Sequence, residues 1–134
     1  MVADASNFKN GVAQSFYPGD RYVDWIGADG YNWYPGHVGS TWTAFGDIFS
    51  AFYAWAAPRG KPLIVAETGV QEDPADPGRK AAWFADADAW IGSHTAIRAV
   101  SYFDGVSPKG YDFRADTSVP AFSEWQAFGL DSYG

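Results

Sequence analysis

The run Pro62-Leu63-Ile64-Val65-Ala66-Glu67-Thr68-Gly69 constrains this chain more than any other. Its four consecutive apolar residues, two of them branched at Cβ, read as a strand buried on both faces, the kind found in parallel sheets. The run closes on a carboxylate followed by Thr-Gly. Parallel α/β folds place their chemistry at that end of a strand. Burying a lone carboxylate is costly unless something compensates. Glu67 is therefore either a working group or a strand-end residue that caps a turn or pairs with a lysine.

The flanking sequence repeats a βα pattern. Residues 22–31 read as a strand, and Ile97–Phe103 reads as another, ending at Asp104. Between the first of these and the Glu67 strand, Phe45, Ile48, Phe49, Phe52, Tyr53 and Ala56 form one continuous helical face. Ser40 or Thr41 can cap that helix, and Pro58 with Gly60 ends it. A second helix is expected from Arg79 to Gly92, with Trp83, Ala87, Trp90 and Ile91 inward. A last one is expected from Val119 to Phe128. Residues 1–20 are polar, contain Gly11, Pro18 and Gly19, and read as an irregular lead-in.

Three strands alternating with three helices imply an α/β fold with a parallel sheet and right-handed crossovers. The loops after the strands are long and aromatic, and the connections after the helices are short. That puts the working face at the strand carboxyl ends, as in a (β/α)₈ TIM barrel, which takes roughly 250 residues. The chain has 134 residues. The expectation is one domain, 1–134, forming a partial barrel of about three βα units. Three strands cannot close and leave unpaired edges. Their inner face would expose Ile26, Ile64 and Val100. Either the chain is a piece of a larger barrel, or it completes its sheet as a homo-oligomer.

Composition narrows the partners. A net charge of -7 argues against nucleic acid or an anionic membrane as partner. The longest apolar stretch, Phe49 to Ala57, is too short to span a bilayer. There is no Cys, no metal-ligand spacing of His and carboxylates, no Gly-rich phosphate loop and no Gly-x-Ser-x-Gly elbow, so no metal or cofactor is expected. The start of the chain has no basic or apolar region of signal-peptide type, and compartment stays unassigned. Aromatic residues make up 19% of the chain, more ring surface than a core of this size needs, so some rings should line a site.

The segments 17–27, Asp29-Gly30-Tyr31-Asn32-Trp33, 60–69, Lys80-Ala81-Ala82-Trp83-Phe84, Val100-Ser101-Tyr102-Phe103-Asp104 and 112–117 carry a resemblance. Together they resemble the carboxy-terminal part of a retaining, β-mannanase-like barrel glycosidase of glycoside hydrolase family 26. The resemblance makes the three strands the sixth, seventh and eighth of the barrel. It implies that Glu67 is the nucleophile and that Tyr31 hydrogen-bonds and orients it. The acid/base Glu would sit on the fourth strand, which this chain lacks. The implied substrate is a β-linked polysaccharide or oligosaccharide such as mannan, with glucan or xylan behind it, and the parent enzyme is expected to be secreted. The alternative is an inactive fragment or a remnant that binds carbohydrate through Trp33 and Tyr34.

The implied substrate-binding residues are Asn32, Trp33, Tyr34, His37, Tyr102, Phe103 and Asp104. Many relatives place a Trp under the sugar at the end of the eighth strand, and here Tyr102 or Phe103 takes its place. The chemistry of the residues agrees with the role of Glu67. A nucleophilic carboxylate must stay ionised and needs a donor, which a phenol such as Tyr31 supplies. Trp33, Tyr34 and Trp42 offer flat faces to sugar C–H groups, although Trp42 equally suits helix packing. Trp25 reads as core, and Trp55, Trp83 and Trp90 as packing or surface. Glu72 and Asp73 read as a solvated acidic loop, Asp29 as a turn anchor and His94 as structural. His37 either touches ligand or faces solvent. Asp104 either binds or supports.

Overall fold

The structure, a computed structural model, describes residues 1–130. Four parallel strands form one sheet in chain order: β1 (Val2–Asp4), β2 (Ile26–Asn32), β3 (Leu63–Val70) and β4 (Ile97–Tyr102). The helices are α1 (Ala5–Lys9), α2 (Val12–Ser15), α3 (Phe45–Ala56), α4 (Arg79–Ser93) and α5 (Val119–Leu130). Among the described residues no helix is long and apolar enough to cross a membrane.

The helices and one face of the sheet build the core. From the sheet come Ile26, Ala28, Leu63, Val65, Val70 and Ile97, and from α3 come Phe45, Phe49, Phe52 and Ala56. Burying a side chain of Phe or Leu size stabilises the fold by roughly 1.5–3 kcal/mol, so the periodic face of α3 is its main anchor. α4 adds Trp83, Phe84, Ala87 and Ile91. Its Trp90 is half-buried and stacks on His94 at 3.7 Å between ring centres, the structural role expected of that histidine.

The sheet's other face is open. A Cβ added to Gly27 would meet Val2 Cγ2 at 3.0 Å and Ile64 Cγ2 at 2.9 Å, so those side chains share it. Ile26 and Val100 do not. Ile26 is fully buried against the helices, and Val100 packs against the same core, so of the three residues expected on the inner face only Ile64 lies there.

Several expected boundaries move. The lead-in is not irregular, because Val2–Asp4 pairs with Gly27–Asp29 and two short helices follow. A strand of three residues carries no period to read, and Asp4 caps α1 by accepting from the Ser6 amide at 2.8 Å. The next strand begins at Ile26 rather than Tyr22, because Asp20–Tyr22 forms a 3₁₀ turn. Trp25 is consequently 44% exposed rather than core. α3 starts with Ala44 in the capping position and no side-chain cap, so neither Ser40 nor Thr41 serves. Gly60, in the left-handed region at φ 66, closes the turn after α3 as its sequence suggests.

One irregularity decides where Glu67 points. Ala28 pairs with Val65, but Asp29 pairs with Glu67, so Ala66 is an extra residue in β3. Val65 faces the helices, and strict alternation would turn Glu67 the same way. The bulge shifts the phase by one and brings Glu67 to the open face beside Asp29. Thr68 then faces the helices and is buried.

Candidate active site

Glu67 is exposed on the open face and accepts a hydrogen bond from the Tyr31 hydroxyl through its Oε1. The Tyr31 ring lies among Trp33 at 4.7 Å, Phe113 at 4.9 Å and Phe103 at 6.4 Å between centres. Gly69 completes the seat. A Cβ there would lie 2.8 Å from Tyr31 Cε1 and 2.9 Å from Phe113 Cδ1, so the ring position requires a residue with no side chain. Burial first, then the hydrogen bond to Glu67, pushes the Tyr31 phenol above its ordinary range. The phenol therefore remains a neutral donor while Glu67 is a carboxylate acceptor.

Asp4, Asp29 and Glu67 occupy matching positions on β1, β2 and β3. Asp4 is engaged as the α1 cap. Asp29, expected to anchor a turn, is instead a half-buried neighbour of Glu67. Burial, then the negative charges of Glu67 and Asp4, raises its pKa. The open face thus carries a carboxylate held by a phenol, with a second carboxyl beside it that is harder to ionise.

By sequence, the chain is 35% identical over 133 residues to Endoglucanase H of Acetivibrio thermocellus, a match covering 96% of this chain. The sequence similarity is to an endoglucanase. It spans 14% of the length of that relative. By structure it matches a modular endo-β-1,4-mannanase of glycoside hydrolase family 26 from Cellulomonas fimi, with TM-score 0.55 and 21% identity, covering 98% of this chain and 29% of the mannanase. A double mutant of a Cellulomonas fimi endo-β-1,4-mannanase matches with TM-score 0.56 and 23% identity, over the same shares. No protein-family model matches the chain. The fold of the chain is thus part of a (β/α)₈ barrel, with four parallel strands where the sequence suggested three.

The remaining expected site residues divide into two groups. Trp33 stays at the site, 42% exposed, with Tyr111 at 6.0 Å and the exposed His37 at 6.4 Å from its ring. Phe103 faces Tyr31 and Phe113. Tyr102 does not. It points to the helices, packs on Trp125 at 4.8 Å and Phe84 at 5.4 Å, and donates to the Phe113 carbonyl at 2.6 Å. Of the pair offered for the sugar platform, only Phe103 is on the correct face.

Asn32 is fully buried, and its Oδ1 accepts from the Tyr34 amide at 3.2 Å, so it shapes the turn instead of meeting a ligand. Tyr34 parts from Trp33. It packs on Trp42 at 6.1 Å, which breaks up the expected Trp33–Tyr34 platform. Trp42 in turn carries the Arg79 guanidinium 4.4 Å above its ring. Asp104 accepts from the Ala115 amide at 2.8 Å, a supporting role.

The acidic loop is not simply solvated. Asp73 is 2% exposed and accepts from Arg79 at 2.8 Å, which holds its carboxyl below the usual range. Glu72 accepts from Thr117 at 2.8 Å.

Two residues outside the sequence-based site support it. Phe113 is buried under Tyr31 and Trp33. Lys80, fully buried on α4, donates to the Arg114 carbonyl at 2.6 Å and to Thr117 Oγ1 at 2.9 Å, fixing the loop that carries Phe113. The signal for Lys80 was a lysine opening an otherwise apolar helical turn, Lys80 to Phe84. Phe113, in a polar loop, gave none.

Proposed function

We propose that this chain supplies the nucleophile half of a retaining glycoside hydrolase acting on a β-linked polysaccharide. The observation that carries the reading is the Tyr31–Glu67 hydrogen bond on the open face at the strand carboxyl ends. In this role the Glu67 carboxylate attacks the anomeric carbon and the glycosidic C–O bond breaks. The leaving oxygen takes a proton from a second carboxyl about 5–5.5 Å away. Water then hydrolyses the glycosyl ester. Tyr31 keeps one Glu67 oxygen aligned for attack, and the rings of Trp33 and Phe103 offer apolar faces to the sugar.

Neither Glu72 nor Asp73 is free to act as the acid, since Thr117 and Arg79 hold them. The family resemblance puts the acid on a strand outside this chain rather than on Asp29, and the chain alone should turn over unactivated polysaccharide poorly. Glucan and mannan are the substrates to test. The relative sharing 35% identity, an endoglucanase, ranks glucan ahead of mannan, the substrate of the structural neighbours sharing 21% and 23%.

Aryl β-glycosides with activated leaving groups depend little on acid assistance. The chain should release aryl alcohol from them slowly. Glu67→Gln should abolish release and leave sugar binding intact, because shape is kept while charge is lost. Equal release by the variant sinks the nucleophile assignment. Binding without release by the native chain favours the second reading, a carbohydrate-binding chain without turnover, to which the exposed Trp33 ring is suited.

A further inference from the structure

We infer that the groove beside Trp33 is a subsite for a sugar carrying a carboxylate, a uronate unit of the polysaccharide. This inference rests on the proposed carbohydrate ligand but not on turnover. The groove holds about 480 Å³ and is lined by Trp33, His37, Ser107, Pro108, Lys109 and Tyr111. Ligand sites span roughly 300–1,000 Å³, so one or two sugar rings fit.

Two turns build it. The His37 amide donates to the Trp33 carbonyl at 3.0 Å, which ties His37 to the Trp33 ring. In the facing turn the Gly110 amide donates to the Ser107 carbonyl at 2.8 Å, and the Tyr111 amide donates to Ser107 Oγ at 3.1 Å. Gly110 sits at φ 83, in the left-handed region, which lets the turn close. Pro108 and Lys109, in that turn, line the groove together with Trp33.

The charge pattern is the argument for the anion. The chain has 16 acidic and 9 basic residues, yet no Asp or Glu lines this groove. Lys109 is exposed and makes no ion pair among the described residues. Neutral sugars are held by side chains that both accept from and donate to hydroxyls. An ammonium only donates, and its strongest match is a carboxylate. Trp33 supplies the ring face for the pyranose, and Lys109 supplies the charge at its edge.

The test is direct binding of matched oligosaccharides to the full chain, read by calorimetry. The probes are β-1,4-mannotetraose against β-1,4-linked mannuronate tetramer, and cellotetraose against its C6-oxidised glucuronate counterpart. In low salt each uronate should bind about two- to fivefold tighter than its neutral partner, the range of one exposed ion pair. Raised salt should remove that preference and leave the neutral affinity unchanged, Lys109→Ala should remove the preference, and Trp33→Ala should weaken both members of each pair. Neutral binding with no uronate preference overturns the charged subsite and leaves the hydrolase reading standing. A preference that survives Lys109→Ala overturns it too. No binding of any tetramer also overturns it, and aryl-glycoside turnover then judges the hydrolase reading separately.

Discussion

Tyr31 acts on Glu67 as a donor that does not itself ionise. Its phenol is pushed above the ordinary range by burial and by the carboxylate it serves, so it stays protonated well past neutral pH. A hydrogen bond to a charged group is worth about 1.5–3 kcal/mol, so Tyr31→Phe should lower kcat/KM on activated glycosides roughly 10- to 100-fold. Initial rates on an aryl glycoside measure this, and unchanged rates would remove Tyr31 from the site. Glu67 was legible in sequence because a buried-type strand ends on it. Tyr31 was legible through the family resemblance, which the segment Asp29-Gly30-Tyr31-Asn32-Trp33 helps to carry. Phe113 was not, because a ring in a polar loop has no pattern to betray its contacts. Tyr102 and Phe103 are adjacent, and sequence alone does not say which faces the site. The register shifts along β4 set that phase.

At the level of elements, β3 and its neighbours place these residues through one bulge and one glycine. The apolar run predicts a strand that closes on Glu67 but not the extra residue at Ala66, since a bulge depends on the pairing of two strands distant in sequence. Gly69→Ala should push Tyr31 and Phe113 apart and cost about 1–3 kcal/mol of stability, together with aryl-glycoside activity. A variant as stable and active as the native chain would show that the rings yield freely.

α4 holds the loop from Asp112 to Thr117 through Lys80. Burial draws the Lys80 pKa down from 10.5 to about 8, against the raising influence of Glu72, Asp112, Asp104 and Asp116. Between those two values the unfolded chain binds a proton that the folded chain has released. Stability attributable to Lys80 therefore rises with pH across that window and is flat below it. The raised pKa values of Tyr31 and Tyr102 act the opposite way above 10.0, in native and variant alike. The difference in urea midpoint between the native chain and Lys80→Met should widen in favour of the native chain as pH passes 8. A constant difference would mean that folding leaves the Lys80 pKa unchanged.

Across the whole molecule, the sheet ends in two edges, β1 with three residues and β4 with six. Its inner face leaves Val2 52% exposed. Unpaired edges invite association, and a two-fold pairing of sheets is its simplest form. Light scattering should give a mass near twice 14.6 kDa. A clean monomer would mean that the short β1 edge and the carboxylate-lined face are enough to keep the sheet apart. The parallel βα order was legible in sequence from alternating helical and strand periods, whereas the fourth strand escaped because three residues are too few to show one. The nucleophile assignment is tested most directly by trapping. A deoxyfluoro β-glycosyl fluoride, glucosyl or mannosyl, needs no acid to lose fluoride and leaves a slowly hydrolysed ester on the attacking residue. Peptide mass spectrometry of the treated chain should find the glycosyl group on Glu67, and a label on any other carboxylate, or none on a chain that binds the sugar, would contradict the account.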